Sequence, residues 1–265
     1  MTSSAEPAVS AARGAVRVVR DGALVRLVLD RPPLNVLTIA MLGELQEALA
    51  ELAGDDSVKL VTLSGNGKAF CAGVDVADHA DDRVALMLEL FHGCLLRLYE
   101  LPCPTVAVVH GAALGGGCEL LLACDMVLAH ERATIGQPEI RLGVFPPFAA
   151  AVLPRLVGRQ RAMELVLTGR SLSANEAQAV GLVTRAFSSD GFDAGVQDYL
   201  AQLTRLSGPV QRLAKRAMVE GAELSPRDAV AHAEALYAND LMRLHDAHEG
   251  LAAFMEKRAP VWREA

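Results

Sequence analysis

Three consecutive glycines, Gly115, Gly116 and Gly117, run straight into the apolar, helix-forming segment 118–124, CELLLAC. Glycine has no Cβ, so another group can come close to the backbone at this point. The first N–H groups of a helix have no partner within it and sit at the positive end of its dipole. A chain entering a helix in this way can hold an oxygen that carries, or is about to carry, negative charge. The preceding stretch 105–109, TVAVV, reads as a buried strand that delivers the chain to the glycines. Glu119 lies in the first turn behind them, and Glu139 follows 20 residues later. A polarising backbone pocket with two carboxylates nearby points to acid–base chemistry beside a carbonyl.

The rest of the chain supplies a framework for that turn. Residues 16–19 (VRVV) and 24–29 (LVRLVL) alternate as two short strands about Asp21-Gly22, a favourable hairpin dipeptide. A helix is expected from Thr38, with Met41, Leu45, Leu49 and Leu52 on one face, followed by a central strand over 58–63. The loop 64–75, SGNGKAFCAGVD, has the look of a phosphate loop but fails its pattern. That pattern needs Gly at 62, where Thr62 stands, and Ser or Thr at 69, where Ala69 stands. A helix over 82–100 is ended by Pro102 and Pro104, and 125–129 returns as a strand. Strands and helices alternating with connections of these lengths predict an α/β fold built on parallel strands. From Pro146 the pattern turns helical apart from 182–187, LVTRAF. Ser173 and Glu176 form a capping box, and long helices fit 209–221 and 226–244. The division expected is a disordered tail over 1–14, a core over 15–200 and a helical region over 201–265.

Bulk properties exclude several classes of function. A hydrophobic share of 52% over 265 residues is ample for a large core. A net charge of -7 with only 4% aromatic residues argues against a nucleic-acid partner, which needs a basic face and stacking platforms. No run reaches the roughly 18 apolar residues that span a bilayer. Cysteines at 71, 94, 103, 118 and 124 are odd in number and include no C-x-x-C pair, a pattern of reduced thiols in a cytoplasmic protein. Cys118 has no identifiable histidine partner, so packing is its expected role. His245 and His248, three apart, lack a third ligand, and no metal site is expected. His110 and Asp125 read as structural residues.

Five stretches in fixed order carry a family signature: AFCAGVD (69–75), PTVAVVHGAALGGGCELLLACD (104–125), IGQPEIRLGVFP (135–146), AMELVLTGRSLSANEAQAVGLV (162–183) and EGLAAFMEKRAPVW (249–262). Together they resemble the crotonase superfamily, the enoyl-CoA hydratase/isomerase family, over about residues 16–263. The resemblance implies a crotonase-like spiral of ββα units over the core, followed by a helical C-terminal trimerisation region. It also implies homotrimers or dimers of trimers, an acyl-CoA thioester substrate, and no cofactor beyond the coenzyme A carried by that substrate. By motif position the thioester carbonyl would meet the backbone N–H groups of Val74 and Gly116. Glu119 and Glu139 fall where hydratases of the family carry glutamates that hold one water. One takes its proton as it attacks C3 and the other supplies a proton to C2, with the order left open. Ala72, Val74 and Asp75 fall where the family's loop passes coenzyme A, and Arg31 is a candidate phosphate contact. Phe254 and Lys257 match positions that reach the coenzyme of a neighbouring subunit.

The chain departs from the family after Glu139. Where members continue with GAGGTQRL, this sequence has PPFAAAVL (146–153), one residue shorter, so Phe148 and alanines replace glycines that line the acyl pocket. The pair RPPLNVL (31–37) and LGVFPP (142–147) resembles the branch of cyclohexa-1,5-diene-1-carbonyl-CoA hydratases. The activity implied is hydration, or its reverse, of a 2-enoyl- or dienoyl-CoA. Double-bond isomerisation and a non-catalytic binding or scaffold role stand as alternatives.

Overall fold

The computed structural model describes residues 14–265, so the expected tail, apart from Gly14, lies outside the described residues. β1 (Val16–Asp21) and β2 (Leu24–Leu29) pair antiparallel with Asp21 opposite Leu24. The hairpin loop is therefore Gly22-Ala23, one residue beyond the dipeptide expected, with Gly22 at φ 59 as a two-residue hairpin loop prefers. In α1 (Ile39–Ala53) the Thr38 hydroxyl accepts from the Met41 amide, and Met41, Leu45, Leu49 and Leu52 are all buried. β3 (Leu60–Gly65) starts two residues later than the apolar pattern suggests. Val58 is buried, but its amide closes a turn on Asp55 O, which delays the ladder.

α2 (Val84–Glu100) packs on α1 and leads through the prolines to β4 (Thr105–Val109). Next come β5 (Ala112–Leu114), α3 (Gly116–Leu122), β6 (Met126–His130) and β7 (Thr134–Gly136). α4 (Pro147–Val157) and α5 (Arg159–Thr168) precede β8 (Ser171–Ser173), α6 (Ala174–Ala179) and β9 (Arg185–Phe187). The capping box at Ser173 and Glu176 is present in both directions. α7 (Phe192–Thr204), α8 (Gly208–Gly221), α9 (Pro226–Asn239) and α10 (His245–Glu256) complete the chain.

The main sheet runs β1-β2-β3-β4-β6-β9 and is parallel throughout except for its first pair. A large cluster of buried residues, including those of α1, α2 and α3, packs against it. Leu24, Leu60, Val106 and Leu128 pack instead with Phe192, Val196 and Leu200 of α7, so the sheet is covered on both sides as parallel strands require. A second sheet, β5-β7-β8, is absent from the sequence expectation. Its strands are three residues each, too short for an alternating pattern to show.

Three expectations in the C-terminal third need correction. β8 interrupts the region read as helical, pairing antiparallel with β7. Strand 182–187 shrinks to β9 because the Leu182 and Val183 amides turn back to Ala177 O at the end of α6. The helix expected over 226–244 stops at Asn239, a 3-10 turn follows over Leu241–Arg243, and α10 begins afresh. Asn239 and Asp240 are weak helix formers at that break.

One buried ion pair ties the C-terminal helices to the core. Lys215 Nζ of α8 stands 2.7 Å from Asp125 Oδ2 and donates to Cys103 O at 3.1 Å. The same Asp125 oxygen accepts from the Thr105 amide at 2.7 Å and the Thr105 hydroxyl at 2.9 Å, a structural role as expected. Removing the ammonium strands a carboxylate between β4 and β6, although Asp125 keeps some contact with water. Lys215→Ala should therefore lower the unfolding free energy by about 2–3 kcal/mol, read from urea denaturation midpoints. A change under about 0.5 kcal/mol would deny the pair this role.

Candidate active site

Three separated stretches are brought together by backbone hydrogen bonds on both edges of β5. On one edge the Cys71 amide donates to Ala112 O and the Leu114 amide donates to Cys71 O, each at 3.0 Å. On the other edge β5 pairs parallel with β7, and the Gly115 amide donates to Gly136 O at 2.9 Å. Residues 71–75, 112–119 and 134–139 therefore meet at one point, although up to 68 positions separate their ends.

The glycines make that meeting possible. Gly115 adopts φ 54 and ψ -125, a conformation open mainly to glycine, and its carbonyl accepts from the Glu119 amide to start α3. A Cβ on Gly115 would stand 2.8 Å from Glu139 Oε1, and one on Gly117 would overlap the Cys71 carbonyl oxygen. A Cβ on Gly116 would stand 3.4 Å from the Val74 amide nitrogen, and one on Gly73 3.9 Å from the Gly116 nitrogen. The Val74 and Gly116 amides thus lie side by side. Among the described residues neither donates to a protein acceptor. Two free N–H groups on neighbouring stretches of backbone are the donors that can hold a single oxygen and stabilise negative charge on it.

The two glutamates flank the glycine turn, Glu119 in the first turn of α3 and Glu139 against Gly115, in different surroundings. Glu119 is only 3% exposed, and its Oε1 accepts from the Ala149 amide at 2.9 Å. Burial pushes its carboxyl up to about 7; the Ala149 and Phe148 amides at the start of α4 oppose the shift, and the Glu139 charge adds to it. Glu139, partly buried, begins a 3-10 turn over Glu139–Leu142, and burial raises its carboxyl too. Gln137, 1% exposed, sets its carboxamide against Glu139, and with the nitrogen turned toward the carboxylate it donates to Oε1 and Oε2 at 3.0 and 3.2 Å. The Gln137 contact is missing from the sequence reading, where a lone glutamine two residues before an acid carries no signal. Cys118 is buried, and burial followed by both carboxylates drives its thiol far up, away from nucleophilic use.

The other predicted site residues take definite places. Ala72 donates its amide to Leu34 O, and Asp75 Oδ1 accepts from the Ala77 amide, capping a 3-10 turn beside Val74. Phe148 is buried in the first turn of α4, against the Glu119 carboxyl. Arg31 is exposed, with its guanidinium donating to Val36 O at 2.9 Å. Phe254, 84% exposed, and Lys257 sit on and just after α10, and none of the hydrogen bonds joining the site segments involves them. Phe91, unmarked in the sequence, closes the back of the amide pair, with Cζ 3.0 Å from the Cβ position of Gly116. Two surface cavities, of about 770 and 340 Å³, lie at Gly158–Arg161 and around Trp262; neither sets paired carboxylates against free amides.

Comparison with known proteins follows the same outline. The family described as Enoyl-CoA hydratase/isomerase matches residues 20–265. The chain is 37% identical over 243 residues to the cyclohexa-1,5-dienecarbonyl-CoA hydratase of Thauera aromatica, covering 92% of this chain and 94% of that protein. Its structure is similar to that of an enoyl-CoA hydratase from Mycobacterium smegmatis, at TM-score 0.90 and 32% identity over 94% of this chain and 99% of the other. An enoyl-CoA hydratase structure from Bacillus anthracis gives TM-score 0.90 at 32% identity, over 95% and 100% of the two chains.

The burial of Glu119 has a consequence for stability. Its folded titration lies at about 7 against an ordinary 4.5, so the folded state binds more protons between those values. Its contribution is thus favourable below about 4.5 and is lost as pH rises through 7. Glu119→Gln removes the buried charge while keeping the shape. The variant should be more stable than wild type at pH 8, by on the order of 2 kcal/mol, and nearly equal at pH 5. Thermal melts at both pH values check this, and an equal effect at both would contradict it.

Proposed function

Since the chain belongs to the enoyl-CoA hydratase/isomerase family, we propose that it adds water across, or removes it from, the double bond of a 2-enoyl- or dienoyl-CoA thioester. The observation that carries this reading is the pair of free amides, Val74 and Gly116, at a turn flanked by two carboxyls that burial raises. A thioester carbonyl oxygen accepts from both amides. As the water oxygen bonds to C3, the C2–C3 π electrons move into the carbonyl, and the enolate oxygen gains charge against these donors. Loss of one such donor typically costs about 3–4 kcal/mol of transition-state stabilisation.

The carboxyls handle the protons. One accepts a proton from the attacking water and the other delivers a proton to C2, so the pair begins turnover with one proton between them. Raising a buried carboxyl towards neutrality suits it to either role. Gln137 holds Glu139 by both oxygens, and the α4 amides hold Glu119, so the water between them meets fixed partners.

Phe148 and the alanines after it set the acyl end of the pocket. The relative from Thauera aromatica is named for a cyclic dienoyl thioester, and we extend that substrate class to this chain alongside simple enoyl thioesters. Arg31, Ala72 and Asp75 serve the coenzyme side in this reading. Phe254 and Lys257 reach the coenzyme of a neighbouring copy in a trimer or a dimer of trimers, for which their exposure leaves them free. Sedimentation of a monomer alone at micromolar concentration would remove the oligomer from this account.

Glu119→Gln and Glu139→Gln should each lower kcat at least about a hundredfold while acyl-CoA binding persists. Crotonyl-CoA and cyclohexadienecarbonyl-CoA are the substrates to offer, followed by loss of conjugated thioester absorbance. Oxygen from labelled water must appear in a 3-hydroxyacyl product. A shifted double bond with no labelled oxygen would favour isomerisation, the other activity in the family's name.

A further inference from the structure

The segment Arg31–Leu37 lies along the whole loop that carries the Val74 donor. The Lys68 amide donates to Pro33 O at 3.0 Å and the Ala72 amide to Leu34 O at 2.9 Å. Farther on, the Leu37 amide donates to Gly73 O at 2.9 Å and Leu37 O accepts from the Asp75 amide at 2.8 Å. The polar groups on either side of Val74 are thus occupied by Leu34 and Leu37, while the Val74 amide donates to no protein acceptor among the described residues. Backbone bonds alone leave open where the loop turns before Cys71, and one side chain settles it.

That side chain is Asn35, fully buried at φ 54, a left-handed conformation that asparagine tolerates better than most residues. Its Nδ2 donates to Asn66 O at 2.7 Å, Ala69 O at 2.9 Å and Phe70 O at 3.1 Å. Two hydrogens serve three acceptors, so at least one bond is shared. Its Oδ1 accepts from the Arg31 amide at 2.9 Å, which fixes which way the carboxamide points. A second, independent feature keeps room for it. A Cβ on Gly65 would stand 2.6 Å from Asn35 Nδ2 and 2.7 Å from Ala69 O. Three carbonyl oxygens converging on one nitrogen would repel one another without it.

We infer that Asn35 is a positioning residue for the reaction, setting the Val74 amide by gathering the carbonyls of Asn66, Ala69 and Phe70. This rests on the function proposed above, in which the Val74 amide holds the thioester oxygen. The carboxamide touches no substrate and acts only through the loop. Asn35→Asp replaces the donor with a fourth oxygen facing those three, and the loop must move away. Asn35→Ser keeps one short donor and adds no charge, so it acts as the milder probe.

The test uses the full chain and dimethylaminocinnamoyl-CoA, a chromophoric thioester whose absorption moves to longer wavelength when its carbonyl is polarised. Wild type should bind it with a red shift. Both variants should bind it within about fivefold of wild-type affinity, lose at least half of the shift, and lose kcat for crotonyl-CoA by about a hundredfold with little change in KM. The smaller loss should belong to Asn35→Ser. A folded variant that keeps the full shift overturns the inference, whatever happens to its stability. Failure of both variants to fold overturns it as well, because Asn35 would then serve the whole fold and not the donor loop. A wild-type protein that binds the chromophore without any shift removes the proposed function first, and the role of Asn35 falls with it.

Discussion

Everything at the site depends on the three residues of β5 being hydrogen-bonded on both edges, to Cys71 on one side and to β7 on the other. These bonds are short-range and directional, yet they join segments far apart in the chain. Only residues with no Cβ let the helix of Glu119 start where those segments meet, and Gly115 and Gly117 are the positions where a side chain would collide. The two free amides are a by-product of this geometry. The bonds that fix the loop and the turn run through Cys71, Ala72, Asp75, Leu114 and Gly115 and use neither the Val74 nor the Gly116 amide.

Burial then does the chemical tuning. Glu119 is held at the start of α4 by amides that favour its charged form, and the apolar surroundings favour the neutral form more strongly. Desolvation wins, and the carboxyl titrates near neutrality. The fold tolerates a group whose charged form is unfavourable for stability, as is common for acids at functional sites. Glu139 sits at a more open edge and is steadied by the Gln137 side chain. The two acids therefore differ in environment while the charge of Glu139 still acts on Glu119.

Polar bonds of Lys59, Arg212 and Lys215 attach the C-terminal helices to this unit. Lys215 reaches Asp125, which follows α3 and also grips the start of β4 through Thr105. That single contact connects the helical third to both strands flanking the site. Large apolar side chains on the outer helices, among them Met218, Phe254 and Met255, remain exposed in the single chain.

The α/β class, the helix behind the glycines, the capping box and both acids could be read directly from residue order. Each depends on local rules: periodicity, caps and the absence of a Cβ. The three-residue strands could not be read, because segments of that length carry no period and exist only through partners elsewhere in the chain. The same holds for Gln137, Asn35 and Phe91, whose importance comes from what they touch. Sequence determined which groups with catalytic potential are present and in what order along the chain. Tertiary structure alone decided that amides at 74 and 116 stand together and that Glu119 is dry enough to titrate near 7, since distance and desolvation are properties of the packed chain.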